Sequence, residues 1–352
     1  MKVAIITDTH YGGKNDNLQF ASFQRQFYED TFFPILRREG VTTLLHLGDV
    51  FDRRKYSNYQ SLALAKEMFF DPAREFKIHM LVGNHDAYFK NSNHINSVSL
   101  TCKEYDNITV YQDIPEVIEI EGHHILLVPW IAPAHRPAAL NLISKAKADI
   151  VMGHLEINGS EMVPGLYCDH GLERDLFKRY ERVFSGHYHT QQDDGHIRYL
   201  GAPYEITWND YNTAKGFHIY DTATREFEFY QNPHRMFKKI FYDDSQTDVL
   251  NMDLTEYANT YVKIFVVNKT DFYTFDKFVD RCYQEGDFYE LKIVEDFSDL
   301  DPNSIADEAL EEVEDTLTLL EKYVDEIDSK SLDKNKLNRL LKMLYIESQE
   351  VE

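Results

Sequence analysis

The chain has 352 residues, of which 43% are hydrophobic and 28% charged, and its formal net charge is −23. This length is sufficient for a sizeable core and for more than one domain. The acidity argues against indiscriminate binding to nucleic acid through overall charge. However, residues 296–352 alone contribute a net charge of −11, so the rest of the chain is less hostile to a polyanion than the total suggests.

Cysteine usage and hydropathy exclude two further classes of protein. Three widely spaced cysteines, Cys102, Cys168 and Cys282, predict neither a disulfide framework nor a zinc knuckle. A reducing cytoplasm is the compartment that this pattern favours. The first apolar run is short and lacks a cleavage site, and no stretch approaches the ~18 apolar residues of a membrane helix. We therefore expect a cytoplasmic protein with no membrane segment.

The first 230 residues alternate strand-like and helix-like segments. Continuous apolar runs predict buried strands at Lys2–Thr7, Thr42–Leu47 and Ile78–Val82, separated by helices at Asn17–Arg38 and Asn58–Phe70. This order implies parallel pairing. Further strands are predicted at His124–Val128, Ile150–Met152, Arg182–Phe184, Arg198–Leu200, Gly216–Tyr220 and Glu226–Tyr230. Because these later strands are closely spaced, we expect a second sheet packed on the first, in a two-sheet α/β sandwich.

The pattern changes near residue 233. A strand at Tyr261–Val267, a helix at Phe272–Gln284 and a strand at Phe288–Val294 predict a small α+β cap. A linker near Phe297–Ser304 precedes two apolar stripes, one in an acidic helix and one in a basic helix, which predict a C-terminal helical hairpin. The predicted domains are 1–232, 233–298 and 299–352. The hairpin would dock on the body or on a partner, with a solvated acidic tail as the alternative.

Five short fragments rich in carboxylate, imidazole and amide groups each close an apolar run. They are Asp8-Thr9-His10, Gly48-Asp49, Gly83-Asn84-His85-Asp86, Gly153-His154 and Gly186-His187-Tyr188-His189. Ligands of open α/β sheets bind beyond the carboxyl ends of the strands. Mixed nitrogen and oxygen ligands suit Mn, Fe or Zn, and one carboxylate can bridge two ions. Each fragment alone is more often structural, but the set predicts a two-metal phosphoesterase.

This ordered set of fragments resembles the calcineurin-like metallophosphoesterase superfamily over roughly residues 1–220. The finer resemblance is to its double-strand-break repair nuclease (SbcD-like) branch, and length and tail are similar to the nuclease subunits of T-even-type phage recombination endonucleases. The resemblance to the repair nuclease branch rests on Asp86, where protein phosphatases of the superfamily usually have Glu, and on the run Leu126–Trp130. Tyr199–Pro203, followed by Lys215-Gly216-Phe217, is also similar to that branch.

The resemblance implies a role for each fragment. Asp8, His10, Asp49 and His189 would hold one metal ion, and Asp49, Asn84, His154 and His187 would hold the second. His85 would face the scissile phosphate, where it would stabilise the transition state or protonate the leaving oxygen. The implied cofactors are two divalent ions, Mn²⁺ first and Mg²⁺ as the alternative.

The resemblance also implies partners. The substrate would be double-stranded DNA ends, cut in recombination, repair and DNA degradation, in the host cytoplasm if a phage encodes the chain. An SMC-like (SbcC-type) ATPase would bind the hairpin, and the nuclease would be a homodimer within a heterotetramer. Ala63, Met68, Phe69 and Phe70 would contribute to that dimer or, equally, to the core.

One position departs from the repair branch. Its cellular members usually carry His three residues after the bridging Asp, whereas this chain has Asp52, as the phosphatases do. We hypothesise that Asp52 hydrogen-bonds His85 and raises its pKa, because an opposite charge favours imidazolium. Asp52 and Arg53 favour the alternative function, a protein or nucleotide phosphomonoesterase of the same superfamily. A scaffold that cuts nothing is disfavoured, since every expected ligand is present.

Local positive charge would have to hold DNA on so acidic a chain. Arg53, Arg54 and Lys55 follow a metal fragment directly, and Lys90 lies shortly after another. These four residues are the predicted DNA contacts, with solvated surface as the alternative.

Overall fold

The computed structural model describes residues 1–163 and 166–294 together with positions 334, 336, 337, 340, 341 and 343. Residues Met1–Asp296 form one compact unit and Phe297–Glu352 a second. The predicted linker and hairpin at 299–352 lie outside the described residues, except for the six isolated positions, which are helical. Among the helices that can be described, none has the length and apolar character needed to cross a bilayer.

The first of two six-stranded sheets contains the N-terminal strand in its interior. In spatial order its strands are Phe227–Gln231, Gly216–Asp221, Lys2–Ile6, Thr43–His46, Lys77–Leu81 and Ile108–Tyr111. The last four are parallel. Parallel pairing was predicted for Lys2–Ile6, Thr43–His46 and Lys77–Leu81, whereas the strand Ile108–Tyr111 was not predicted. The first two are antiparallel to their neighbours. We expected those two strands in the second sheet. They return instead to the first sheet, where Gly216–Asp221 covers the otherwise open edge of Lys2–Ile6.

The second sheet packs face to face on the first. In spatial order its strands are Gln192–Asp193, Ile197–Tyr199, Arg182–Gly186, Ile150–His154, His123–Val128 and Glu116–Ile120. The four inner strands are parallel and the two outer ones antiparallel. Fully buried apolar side chains from both sheets, including Ile5, Leu45, Leu127 and Met152, fill the layer between them. The predicted two-sheet α/β sandwich is confirmed.

Helices cover the outer faces of both sheets. The first sheet packs against helical segments at Leu18–Phe27, Tyr28–Phe32, Phe33–Arg38, Tyr59–Ala65 and Lys66–Phe70. The side chains of Asn17 and Asn58 cap two of these segments by accepting backbone N–H bonds. Met68, Phe69 and Phe70 are buried in the core of their own chain. Arg136–Lys145, which was not predicted, packs on the outer face of the second sheet.

Shorter elements complete the body. Helical turns lie at Pro72–Glu75, Ser97–Thr101, Cys102–Glu104, Arg174–Phe177, Trp208–Asp210, Val249–Asn251 and Thr255–Tyr257, and Gly13–Asp16 forms a left-handed turn. Two small hairpins pair Ala87–Phe89 with Ser92–Asn96 and Glu161–Val163 with Leu166–Tyr167.

The region predicted as a cap contains a parallel three-stranded sheet and one helix. Its strands are Phe237–Asp243, Tyr261–Asn268 and Glu290–Val294, and its helix is Phe272–Glu285. Asp271 caps this helix, because its carboxylate accepts from the backbone N–H groups of Tyr273 and Thr274. The first strand was not predicted, because its adjacent lysines interrupt the apolar pattern. Phe237 and Tyr261 also join the core of the first sheet.

Candidate metal centre

The five fragments converge where the inner strands of the two sheets end. Asp8, Asp49 and Asn84 follow three parallel strands of the first sheet, and His154 and His187 lie at the ends of two strands of the second. Their side chains form two groups, Asp8 with His10 and His189, and Asp49 with His154 and His187. Within each group the ligand atoms all lie within 4.8 Å of one another. Every residue that we expected to ligate is therefore at one place.

The first group has the spacing of ligands around one cation. His10 Nε2 and His189 Nε2 lie 3.1 Å apart. Two ligands at right angles, each about 2.1 Å from a divalent ion, are separated by about 3.0 Å. His10 is buried and His189 is half-buried. Loss of hydration around the ring lowers the pKa of His189 to about 4, which keeps that imidazole neutral and able to donate a lone pair.

The second group shares one carboxylate with the first. Asn84 Oδ1 lies 2.8 Å from His154 Nε2 and 3.0 Å from His187 Nδ1. Asp49 Oδ2 lies 3.2 Å from His154 Nε2 and 3.9 Å from His10 Nε2, so a single oxygen faces both groups. This is the position that a carboxylate bridging two ions requires.

Hydrogen bonds from the backbone fix these ligands. His154 Nδ1 donates to the carbonyl of Leu47 at 2.8 Å, which leaves Nε2 with its lone pair toward Asn84. Both oxygens of Asp8 accept from the backbone N–H of His187 at 3.1 Å. Asp49 Oδ1 accepts from the backbone N–H of His85 at 2.9 Å. The ligands are thus oriented by the protein itself.

Four of the predicted ligands have backbone angles that non-glycine residues rarely adopt. The φ angles are +54° at Asp8, +43° at His10, +52° at Asp49 and +90° at His187. Such conformations cost on the order of 1–2 kcal/mol each and persist where the surrounding structure determines them. Their concentration at one place marks it as a functional site.

Glycine precedes several ligands because the ligands themselves occupy the space that a Cβ would fill. A Cβ at Gly83 would lie 2.1 Å from Asp49 Oδ1, and one at Gly186 would lie 2.0 Å from Thr7 Oγ1 and 2.9 Å from Asp8 Oδ2. The Gly that recurs in these fragments therefore follows from close approach of two turns.

Asp86, the last residue of the third fragment, joins two turns. Its Oδ1 accepts from the backbone N–H groups of Val50 and Phe51 at 3.0 Å, and Oδ2 accepts from Gly83 at 2.8 Å. Burial, together with the charge of Asp49, raises the pKa of Asp86 to about 6. Asp86 therefore positions the turns that carry the ligands.

The hypothesis for Asp52 is wrong in one respect. His85 Nδ1 does bond to Asp52 at 2.6 Å, but it donates to the backbone carbonyl. The Asp52 carboxylate lies instead 3.3 Å from Nδ1 of His10, because the side chain turns toward that buried ring. His85 retains Nε2 for a substrate, and its ring packs edge-on to His10 with centroids 4.9 Å apart.

Protonation competes with metal binding at two of the ligands. Burial opposes the charged form of both rings. Nearby carboxylates outweigh the effect of burial and raise the pKa of both imidazoles to about 9. These carboxylates are chiefly Asp52 and Asp49 for His10, and Asp49 for His154. An imidazole must lose this proton before it can hold a cation, so metal affinity rises with pH up to that value.

A buried ion pair behind His189 was missed by sequence reasoning. Lys215 has a side chain 1% exposed, and its Nζ donates to the Asp210 carboxylate and, at 2.6 Å, to the carbonyl of His189. Asp210 also accepts from the N–H groups of Ile206 and Thr207 at 2.9 Å. The only signal in the sequence was Lys215 within the family-like Lys-Gly-Phe, which gives no indication of its partner.

The four predicted DNA contacts differ in their surroundings. Arg53 donates to Asp16 at 2.6 Å and is largely buried, so its charge is balanced within the chain. Arg54 donates to the carbonyl of Ala87 at 3.0 Å. Lys55 and Lys90 are exposed.

A groove of about 300 Å³ runs beside these residues. It is lined by Arg53, Arg54, Lys55, Tyr56 and Tyr88 among others. Tyr56 is 61% and Tyr88 40% exposed, so the groove offers aromatic faces next to positive charge.

The fold and the paired ligand groups are those of a metallophosphoesterase. The profile of the family described as "Calcineurin-like phosphoesterase" matches residues 1–191, and the chain belongs to this family. The superfamily expected from the five fragments is thereby confirmed. Membership implies divalent metal ions, for which the two groups supply a chemically suitable set of nitrogen and oxygen ligands.

Similarity to particular proteins extends beyond the family. The chain is 30% identical over 354 residues to exonuclease subunit 1 of Enterobacteria phage T4, covering 99% of each chain. Among solved structures, it is similar to nuclease MPE of Pseudomonas putida, with 18% identity, a TM-score of 0.30 and coverage of 65% of this chain and 87% of that one. It is also similar to an archaeal phosphodiesterase, with 16% identity, a TM-score of 0.33 and coverage of 66% of this chain and 100% of that one. TM-scores this low add nothing to the family assignment.

Proposed function

We propose that the protein is a two-metal DNA nuclease that hydrolyses phosphodiester bonds at double-stranded ends, with both exo- and endonuclease activity. One observation carries this proposal: Asp49 Oδ2 faces both groups of ligands, 3.2 Å from His154 and 3.9 Å from His10. Similarity along the whole chain to a phage exonuclease subunit supports DNA as the substrate.

The residues would divide the work as follows. Asp8, His10 and His189 would hold one ion, Asn84, His154 and His187 the other, and Asp49 both. When bound, two ions lower the pKa of water and neutralise the charge of the phosphate oxygens. Nitrogen and oxygen ligands without sulfur suit Mn²⁺, with Mg²⁺ as the alternative.

His85 would be the catalytic proton donor. The carbonyl of Asp52 accepts from Nδ1 at 2.6 Å, and this bond sets the ring orientation and directs Nε2 away from Asp52. The backbone N–H of His85 also bonds Asp49, which places the imidazole beside the ligands without making it one. A positioned acid of this kind contributes roughly 10²–10⁴-fold to the rate.

The groove beside Asp52 would receive DNA. Lys55 lines the groove and is exposed, so it could contact phosphates there. Lys90 is also exposed, two residues after the lining residue Tyr88. Tyr56 and Tyr88 offer surfaces on which unpaired bases of a DNA end could stack. Because Arg53 is paired with Asp16, its role would be to shape the groove.

A phosphomonoesterase is the competing function, and one assay separates the two. End-labelled duplex DNA and p-nitrophenyl phosphate are each incubated with the protein and Mn²⁺. We expect rapid shortening of the duplex and little release of nitrophenol, with both lost in Asp49→Asn. The reverse preference would contradict the proposal. One reason for the alternative was a bond from the Asp52 carboxylate to the His85 ring. That carboxylate lies against His10, and the His85 ring bonds the backbone carbonyl of Asp52 instead.

The assembly is also part of the proposal. Residues 233–298 would recognise DNA, 299–352 would bind an SMC-like ATPase, and the nuclease would act as a homodimer. A chain lacking residues 299–352 should lose the ATPase in co-purification and keep Mn²⁺-dependent cutting of DNA ends. Retained co-purification would refute the role given to this region.

A further inference from the structure

A separate group of side chains able to ligate a metal lies outside the two-metal centre. It consists of Glu156, Cys168 and His170, whose ligand atoms all lie within 4.8 Å of one another. We propose that these three residues bind a zinc ion in a separate site. The site would secure the segment that follows the ligand His154.

The geometry and chemistry of this group fit zinc better than manganese. His170 Nε2 lies 3.3 Å from Glu156 Oε1, which is close to the separation of two ligands about 2.0–2.1 Å from a tetrahedral ion. The buried thiol of Cys168 supplies a soft ligand, which favours Zn²⁺ over Mn²⁺ or Mg²⁺. The two-metal centre contains no sulfur, so the two sites would select different metals. Three protein ligands leave a fourth position for water.

A buried hydroxyl provides an independent indication. Tyr188 is 5% exposed, and its Oη makes no hydrogen bond of normal geometry among the described residues. The group beside it is the Cys168 thiol, which itself donates to the carbonyl of His170 at 3.2 Å. A buried polar atom without a partner is uncommon and calls for an explanation. A water in the fourth position of a zinc ion, or the thiolate itself, would accept this bond.

The site would join the two ends of one chain segment. Leu172 N donates to the carbonyl of Glu156, and backbone bonds connect Gly159 and Ser160 with Cys168, each at 2.8 Å. An ion held by Glu156 at the start of the segment and by Cys168 and His170 at its end would add a cross-link between the two ends. Glu156 Oε1 also lies 3.9 Å from Nε2 of His187. The cross-link would therefore reach the outer nitrogen of a ligand of the two-metal centre.

Cobalt titration tests the site directly. The full-length protein is freed of metal with a chelator, saturated with Mn²⁺ and titrated with Co²⁺, which reports tetrahedral thiolate ligation by its charge-transfer absorption. We expect one such ion per chain, displaced by Zn²⁺. Cys168→Ala should abolish the band, and His170→Gln should weaken Co²⁺ binding at least tenfold. Cys282→Ala, a matched change at a buried cysteine that belongs to no group of metal ligands among the described residues, should leave the band intact.

Several results would overturn the site. They are absence of the thiolate band in the unmodified protein, its persistence in Cys168→Ala, and unchanged Co²⁺ affinity in His170→Gln. Since His170 is exposed, that variant keeps the test decisive if the cysteine variant does not fold. In the Mn²⁺-saturated protein, Zn²⁺ should raise the melting temperature of the unmodified protein more than that of His170→Gln, and an equal rise would count against the site. The outcome is independent of the proposed nuclease activity, because the readout is metal ligation.

Discussion

Replacement of Lys215 by methionine tests whether a buried charge supports the metal centre from behind. The ammonium group is enclosed and bonds both the Asp210 carboxylate and the carbonyl of His189. Methionine retains most of the side-chain volume, so the change removes the charge and three N–H donors with little loss of packing. Asp210 would be left as a buried carboxylate without its counter-ion.

The expected cost follows from these contacts. Removal of one partner from a buried ion pair destabilises a protein by roughly 3–5 kcal/mol. Asp210 keeps its bonds from Ile206 and Thr207, which places the cost near the lower end, about 3 kcal/mol. The unit that contains Lys215 spans Met1–Asp296. At about 2.1 cal/mol/K of unfolding entropy per residue, a cost of about 3 kcal/mol lowers its melting temperature by roughly 5 °C. Displacement of His189 should also weaken binding of the first metal ion.

The pH dependence has a definite sign. Although burial acts in the opposite direction, the charge of Lys215 holds the pKa of Asp210 below its ordinary value. A carboxylate with a lowered pKa stabilises the fold above its unfolded pKa, and this contribution is lost as pH falls through the folded value. The difference in stability between the unmodified protein and Lys215→Met should therefore narrow in acid.

Urea unfolding of the metal-free protein at neutral pH measures the change, and calorimetric Mn²⁺ titration measures the metal affinity. The matched control is Arg225→Met, which breaks a half-exposed pair with Glu181 and should cost under about 1 kcal/mol. Lys215→Met combined with Asp210→Asn should cost less than the sum of the two single changes. A loss of unfolding free energy in Lys215→Met no larger than in Arg225→Met would refute the role of the buried charge. So would additive losses for Lys215→Met and Asp210→Asn.

Three other predictions concern the centre itself. His85→Gln should keep both metal ions in elemental analysis and lower the rate of DNA cutting by about 10²–10⁴-fold; loss of the ions would make His85 structural. Gly83→Ala should abolish Mn²⁺ binding, because its Cβ would lie 2.1 Å from the Asp49 carboxylate, and normal binding would refute the close approach. Mn²⁺ binding at pH 7.5 should release protons from His10 and His154, seen as a buffer-dependent enthalpy, and no dependence on the buffer would contradict the pKa of about 9.

Much of the metal centre was predictable because the type of side chain and its place at the end of a strand are both written in the sequence. Asp49 illustrates this: a lone carboxylate after a central parallel strand can reach the ligands of both sheets. The orientation of Asp52 was not predictable, because either its carbonyl or its carboxylate can meet His85, and the choice depends on the backbone turn. Lys215 was not predictable either, since nothing in the sequence indicates that its side chain turns inward to meet both Asp210 and the carbonyl of His189.

The same distinction holds for the fold. Continuous apolar runs predicted the central strands, where both faces are buried. The destination of Gly216–Asp221 depended on which sheet had an open edge, and this is a property of the assembled sheets. Glu116–Ile120 and Phe237–Asp243 were missed because charged residues interrupt their apolar pattern.

The two oxygens of the Asp49 carboxylate make different contacts, and in the proposed nuclease this would connect the size of the metal ion with the rate of cutting. Oδ2 faces the two groups of ligands, while Oδ1 holds the backbone of His85. In the proposed nuclease, this one planar carboxylate would therefore determine both where the two ions lie and where the His85 imidazole lies. An ion with longer bonds, such as Ca²⁺ at about 2.3–2.6 Å, would tilt the carboxylate and move His85, the proposed proton donor, out of line. We therefore expect the protein to bind Ca²⁺ and DNA at the same time without cutting the DNA.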